Sequence, residues 1–225
     1  MSPAFTPPLS ALSPGPDWPN PRAHMNSMHL YERLPLFGTG IALGVWLVVV
    51  HALMLAKPAP VQGFLKKFPR DHQLGWVILA VGLIWFWLLV ALPGKGILNS
   101  LAMDLGEFNG VKKYLRYVVP LSIAAVGMAV KEFLSVRALG LLGLMAAAPL
   151  LEAAFLKDPQ SRLLIPIFAF AMVVASLYCV GMPYLFRDAV TWATASPKRW
   201  RILSLAGLGY GIAVLTCAFL FWKGY

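Results

Sequence analysis

Residues 34–56 read LPLFGTGIALGVWLVVVHALMLA, a run with no acidic, lysine or arginine side chain that is closed by Lys57-Pro58-Ala59-Pro60. At about 1.5 Å per residue, a helix of this length matches the roughly 30 Å hydrocarbon core of a bilayer. In that solvent a helix satisfies its backbone N–H and C=O groups within its own segment, which is why such a run is read as one. Working outward, comparable runs recur at 74–93, 117–130, 138–156, 163–186 and 202–222. The pattern predicts an all-α fold, a multi-pass transmembrane helical bundle of about six spans that forms one domain over 34–225.

The runs differ in quality. Uncharged sequence is short between Arg116 and Lys131 and between Arg137 and Glu152. Segments 117–130 and 138–156 therefore reach spanning length only if flanking charged side chains snorkel. A helical hairpin turning at Lys131–Arg137 is one reading of this pair, and a re-entrant hairpin is the other. Pro120 and Pro149 each free a backbone carbonyl inside these segments. The last two spans have clearer starts, because Asp158-Pro159 and Ser196-Pro197 place a capping residue before a proline suited to the first helical position. Segment 98–116 follows another pattern: Leu98, Leu101, Ala102, Leu105 and Phe108 share helical spacing, and Asn99, Ser100, Asp104, Glu107, Lys112 and Lys113 take the other faces. It reads as one amphipathic helix, either lying in the membrane interface or extending the third span.

Composition agrees. Only 12% of residues are charged, against about 25% in soluble domains, and 59% are hydrophobic, which excludes a water-soluble fold of this size. The net charge of +10 sits in loops and at helix ends, where it meets anionic headgroups, and no separate domain presents it to a nucleic acid. The expected partners are thus a bilayer with anionic headgroups and a membrane protein or second copy of the chain, with no nucleic acid. Candidate headgroup contacts are Lys66, Lys67 and Arg70, which are interleaved with Phe64 and Phe68, and Lys198, Arg199 and Arg201. The second group falls near a first helical turn, where the helix dipole disfavours cations unless a phosphate or acidic group offsets it.

The segment 1–33 is rich in proline and reads as a flexible tail without the basic and apolar regions of a secretory signal; Met25 or Met28 is an alternative start. Lys57, Lys66, Lys67 and Arg70 follow the first span and only Arg22 and Arg33 precede it. The positive-inside tendency then places both termini outside the cytoplasm, with a bacterial cytoplasmic membrane as the expected location.

Few residues offer chemistry. Gly40, Gly44 and His51 lie within about 40° of one another on a helix, so one stripe combines small residues with an ionisable ring. Ser204, Gly207 and Gly211 repeat the small-residue face in the last span. His51 and Glu152 are the candidate intramembrane polar residues, since such groups are costly in lipid. Each reads either as a functional group or as a satisfied structural one. Arg187 with Asp188, and Asp104 with Glu107, are candidate interfacial pairs. Cys179 and Cys217 lie within apolar runs and read as small packing residues. No cofactor is expected: a haem held by two histidines needs a second intramembrane histidine beside His51. Phosphate-binding loops, serine nucleophile elbows and HExxH zinc motifs are missing.

The leading functional expectation is a non-catalytic accessory or scaffold subunit of a membrane assembly. The alternatives are a small-solute transporter or channel using His51 and Glu152, and an interfacial lipid-modifying enzyme using Asp104, Glu107, Arg187 and Asp188.

Overall fold

Eight α-helices form among the described residues: α1 Leu36–Ala56, α2 Pro58–Lys67, α3 His72–Val90, α4 Lys112–Ala129, α5 Leu134–Ala154, α6 Leu164–Gly181, α7 Pro183–Thr194 and α8 Pro197–Phe221. The structure, a computed structural model, describes residues 30–90, 101–103, 105–129 and 132–224. No strand occurs among them. Five helices are long and apolar enough to cross a membrane: α1, α3, α5, α6 with the turn before it, and α8. The chain is an all-α, multi-pass bundle.

Its contacts give the order of passes. Helices α1 and α8 pack antiparallel, with Gly40 against Trp222, Gly44 against Gly211 and His51 against Gly207. Helices α3 and α5 run parallel, because Gly75 faces Ser135, Gly82 faces Leu141 and Leu142, and Leu89 shares a cluster with Met145. Two parallel neighbours need a return between them, and α4 supplies it. The Trp87 indole N–H donates to the Arg116 carbonyl (3.1 Å) at one end of α4, and Gly127 lies on the Trp76 ring at the other. Helix α6 then descends antiparallel to α5, with Gly140 against the Ser176 carbonyl. We call the end holding Leu30–Arg33, Ala154 and Trp222 the upper end, and the end holding α2 and α7 the lower end.

Four expectations need correction. Segment 117–130 belongs to α4, which is not among the helices apolar enough to span, because Lys112, Lys113 and Arg116 occupy its first turns. Segment 98–116 is not one amphipathic helix. Its described part includes a 3₁₀ stretch, Gly106–Val111, and α-helix begins only at Lys112. Gly106 has φ 56° there, and the Asn109 side chain accepts the Leu105 N–H (3.2 Å), so local bonds compete with the α-helical ones. The span 163–186 ends at Gly181. Met182 leaves helical geometry and Pro183 starts α7, since proline cannot donate to the preceding turn. Asp158 does not cap that span either: Pro159 precedes a 3₁₀ turn, Gln160–Leu163, from which α6 continues. Between the first two spans, the sequence after Lys57 forms α2 with Pro58 at its start.

The remaining boundaries shift modestly. The turn before α5 is made by Phe133 in the left-handed region (φ 56°), and Arg137 lies inside α5. Of the 1–33 tail, Leu30–Arg33 form a 3₁₀ turn and 1–29 lie outside the described residues, as do 91–100 and Asp104. Tyr31 is buried against Leu89 and Val90, and its hydroxyl oxygen accepts the Trp85 indole N–H (2.6 Å). Burial pushes this phenol above its ordinary pKa, against the lowering effect of the Trp85 hydrogen bond.

Two tryptophans complete what two prolines interrupt. Pro120 has no N–H for the carbonyl four residues earlier, Arg116, and Trp87 donates to that oxygen. Pro58 stands in the same relation to Met54, whose carbonyl accepts the Trp200 indole N–H (2.9 Å). In lipid an unsatisfied carbonyl costs several kcal/mol, so these indoles join helices at defined heights.

Candidate functional site

The first candidate is the α1–α8 seam. Its small residues are used inside the chain. A Cβ on Gly44 would lie 2.7 Å from Leu215 Cγ, and one on Gly211 would lie 2.9 Å from Leu47 Cβ and 3.1 Å from the Val48 nitrogen. Gly40 receives the Trp222 ring, and Ser204 is buried with its hydroxyl donating to the Trp200 carbonyl (2.8 Å). His51 Nδ1–H donates to the Leu47 carbonyl (2.7 Å), and the Nε2 side of the ring covers Gly207. A carbonyl only accepts, so in the neutral ring Nε2 is the nitrogen without a proton.

This geometry makes a coupled prediction. Gly207→Ala would drive a methyl into the His51 ring and cost about 1–3 kcal/mol. His51→Ala leaves a void on the same spot, so the double variant should recover at least about 1 kcal/mol relative to the sum of the two changes. Unfolding midpoints of the four proteins in mixed micelles measure this, and strict additivity would separate the two residues.

Glu152 lies near the upper end of α5, where Leu156 turns the chain out of the helix with φ 51°. His51 sits toward the lower end, one turn above the Trp200–Met54 hydrogen bond. The two intramembrane candidates therefore lie at opposite ends of the bundle. The interfacial acidic residues are also separated. Glu107 precedes α4 at the upper end, Arg187 and Asp188 belong to α7 at the lower end, and Asp104 lies outside the described residues. Among described side chains no buried nitrogen or oxygen lacks a hydrogen-bond partner. Cys179 and Cys217 are free thiols.

The second candidate is the lower end itself, where α2 and α7 meet and the Phe68 and Phe186 rings lie 5.7 Å apart. Lys66 and Arg70 line a cleft of about 260 Å³ together with Arg187 and Thr191. Sequence reasoning listed the first two and treated Arg187 separately, because only the fold brings α7 back to α2. Arg187 holds Asp188 through Nε and Nη2 (both 3.0 Å). Lys67 is exposed outside the cleft lining. Arg201 lines a different cleft with Trp200 and Pro58, and Lys198 is exposed.

Arg199 explains how a cation tolerates the start of α8. Its guanidinium lies 5.0 Å over the Trp192 ring and donates to the Trp192 carbonyl (3.4 Å) in the last turn of α7. The carbonyl end of one helix thus compensates the amide end of the next. Ser196 caps α8 with extended backbone and no side-chain hydrogen bond, and Pro197 opens the first turn.

Compared with protein-family models, curated proteins and solved structures, the chain matches none of them.

Proposed function

We propose that the protein is a non-catalytic accessory or scaffold subunit of a membrane assembly, and that it holds a partner helix along the outer side of α4. The observation that supports this reading is the mismatch between α4 and lipid. Helix α4 runs beside α3 between the same two ends, yet its apolar part, 117–129, is only roughly 20 Å long against roughly 30 Å of hydrocarbon. Of its described side chains only Val119 is buried, together with the backbone at Gly127. Tyr117, Leu121 and Met128 are 74%, 70% and 65% exposed. A short helix covered on one side relieves mismatch by thinning the bilayer or by association with another helix, and association also covers its exposed side.

The other readings draw less support. A solute path lined by His51 and Glu152 would have to join opposite ends of the bundle, and the His51 ring is already engaged with Leu47 and Gly207. An interfacial enzyme would need Glu107 and Arg187 on one side of the membrane.

The test is a photoreactive side chain at position 121 or 128, with the protein extracted in mild detergent. The expected result is crosslinking to one membrane protein, or to a second copy, at fixed stoichiometry. Tyr117→Ala with Leu121→Ala should then lower the yield about tenfold or more without moving the chain's own thermal midpoint. A monodisperse single chain that crosslinks only to lipid would refute the proposal.

A further inference from the structure

Independently of that reading, the lower end carries a feature of its own. Three cationic side chains from distant parts of the chain line one cleft of about 260 Å³: Lys66 at the end of α2, Arg70 in the following 3₁₀ turn, and Arg187 in α7. Pro69 and Phe133 form apolar parts of its lining. Pro69 is buried, and Phe133 is held by its left-handed backbone at the turn into α5. The cations are therefore placed by elements of the fold and not by a flexible tail.

Their charge is incompletely compensated. Among the described residues, no carboxylate lies within ion-pair distance of Lys66 or Arg70, while Arg187 is paired with Asp188. Asp71 and Glu132 line a neighbouring cleft of about 380 Å³ that shares Pro69, Arg70 and Phe133 with the first. Asp71 is engaged at the start of α3, where its carboxylate accepts the Leu74 N–H (3.0 Å). Asp71 and Glu132 thus flank Arg70 on one side and Asp188 holds one edge of the Arg187 guanidinium, so three cations in and around the cleft lining face one directly paired carboxylate. Thr191 donates its hydroxyl to the Arg187 carbonyl (2.8 Å), so its oxygen can accept a hydrogen bond from an ester hydroxyl.

Exposed Phe64, Tyr184 and Trp192 on α2 and α7 suit the headgroup level of a membrane. The cleft is smaller than the roughly 300–1,000 Å³ of drug-sized ligand sites, which favours a compact anion. We infer that the Lys66–Arg70–Arg187 cleft is a binding site for a phosphate ester, seated by charge-assisted hydrogen bonds from the two guanidinium groups and the lysine. A lipid headgroup and a free phosphate share this chemistry.

The full chain in detergent, titrated with short-chain phosphatidylglycerol and read by native mass spectrometry, tests the site. One saturable equivalent is expected, and Arg70→Gln with Arg187→Gln should weaken it about tenfold or more. Lys57→Gln with Arg137→Gln removes the same charge outside the cleft and should change affinity less than about twofold. Lys66→Gln, which leaves both arginines and their contacts in place, should give an intermediate loss and guards against misfolding of the double variant. Displacement of the lipid by inorganic phosphate at comparable concentration would support the site and assign free phosphate as its ligand. Weak displacement would assign the lipid. Equal losses in the cleft and control variants, or binding that never saturates, would overturn the inference.

Discussion

Trp222→Ala is expected to destabilise the bundle by about 3–5 kcal/mol, the range for removing a large buried aromatic side chain. Trp222 is fully buried at the upper end, where it packs with Leu36, Ala154, Ile165 and Ala218 from three different spans and from α1. Its ring fills the space above Gly40, and its indole N–H donates to the Ser161 hydroxyl (2.8 Å). Alanine would leave a cavity and remove the donor from Ser161. Loss of packing carries the cost here, because lipid is as apolar as the helix interior and little hydrophobic driving force acts between helices. Reversible unfolding in mixed micelles measures it. Trp192→Ala, at an exposed position on α7, is the reference and should cost far less. Similar losses for both would mean that Trp222 does not hold the upper end together.

The second large effect is a contrast in sign between two glycines. Gly140→Ala should cost about 2–3 kcal/mol, and Gly63→Ala should gain up to about 1 kcal/mol. A Cβ at Gly140 would stand 2.7 Å from the Ser176 carbonyl oxygen and 2.9 Å from Cys179 Cβ. A backbone oxygen cannot rotate aside, so α5 and α6 would have to separate. A Cβ at Gly63, within α2, meets nothing within 4 Å, and there only the better helix propensity of alanine remains. Thermal midpoints of the two variants should move in opposite directions. If both rose, the close α5–α6 crossing would be disproved.

The crossing at Gly140 shows what a sequence reading can miss. Gly40, Gly44, Gly207 and Gly211 are conspicuous because they repeat at four-residue spacing, and in the fold they all lie in the α1–α8 seam, Gly44 against Gly211, Gly40 under Trp222 and Gly207 under His51. Gly140 and Gly75 matter as much for close approach, at Ser176 and Ser135, but neither belongs to such a pair with the spacing that drew attention to the others. Arg187 was legible as an interfacial cation, yet its place beside Lys66 and Arg70 depends on α7 folding back across α2. Local sequence carries no record of that return. Segment 98–116 failed in the opposite sense: its helical periodicity is real, but Gly106 and the Asn109 side chain divert the backbone before Lys112.

By itself the sequence determined the solvent and the class. Long uncharged runs must bury their backbone polar groups in helices, and charge must collect at their ends, whatever the neighbours are. Tertiary structure decided which helices run parallel and therefore why α4 must return beside α3. It also decided which carbonyls freed by Pro58 and Pro120 are met by Trp200 and Trp87, and which cations share a cleft. These are contacts between residues far apart in the chain, selected by shape and hydrogen-bond geometry across helices, and periodicity along a single helix does not encode them.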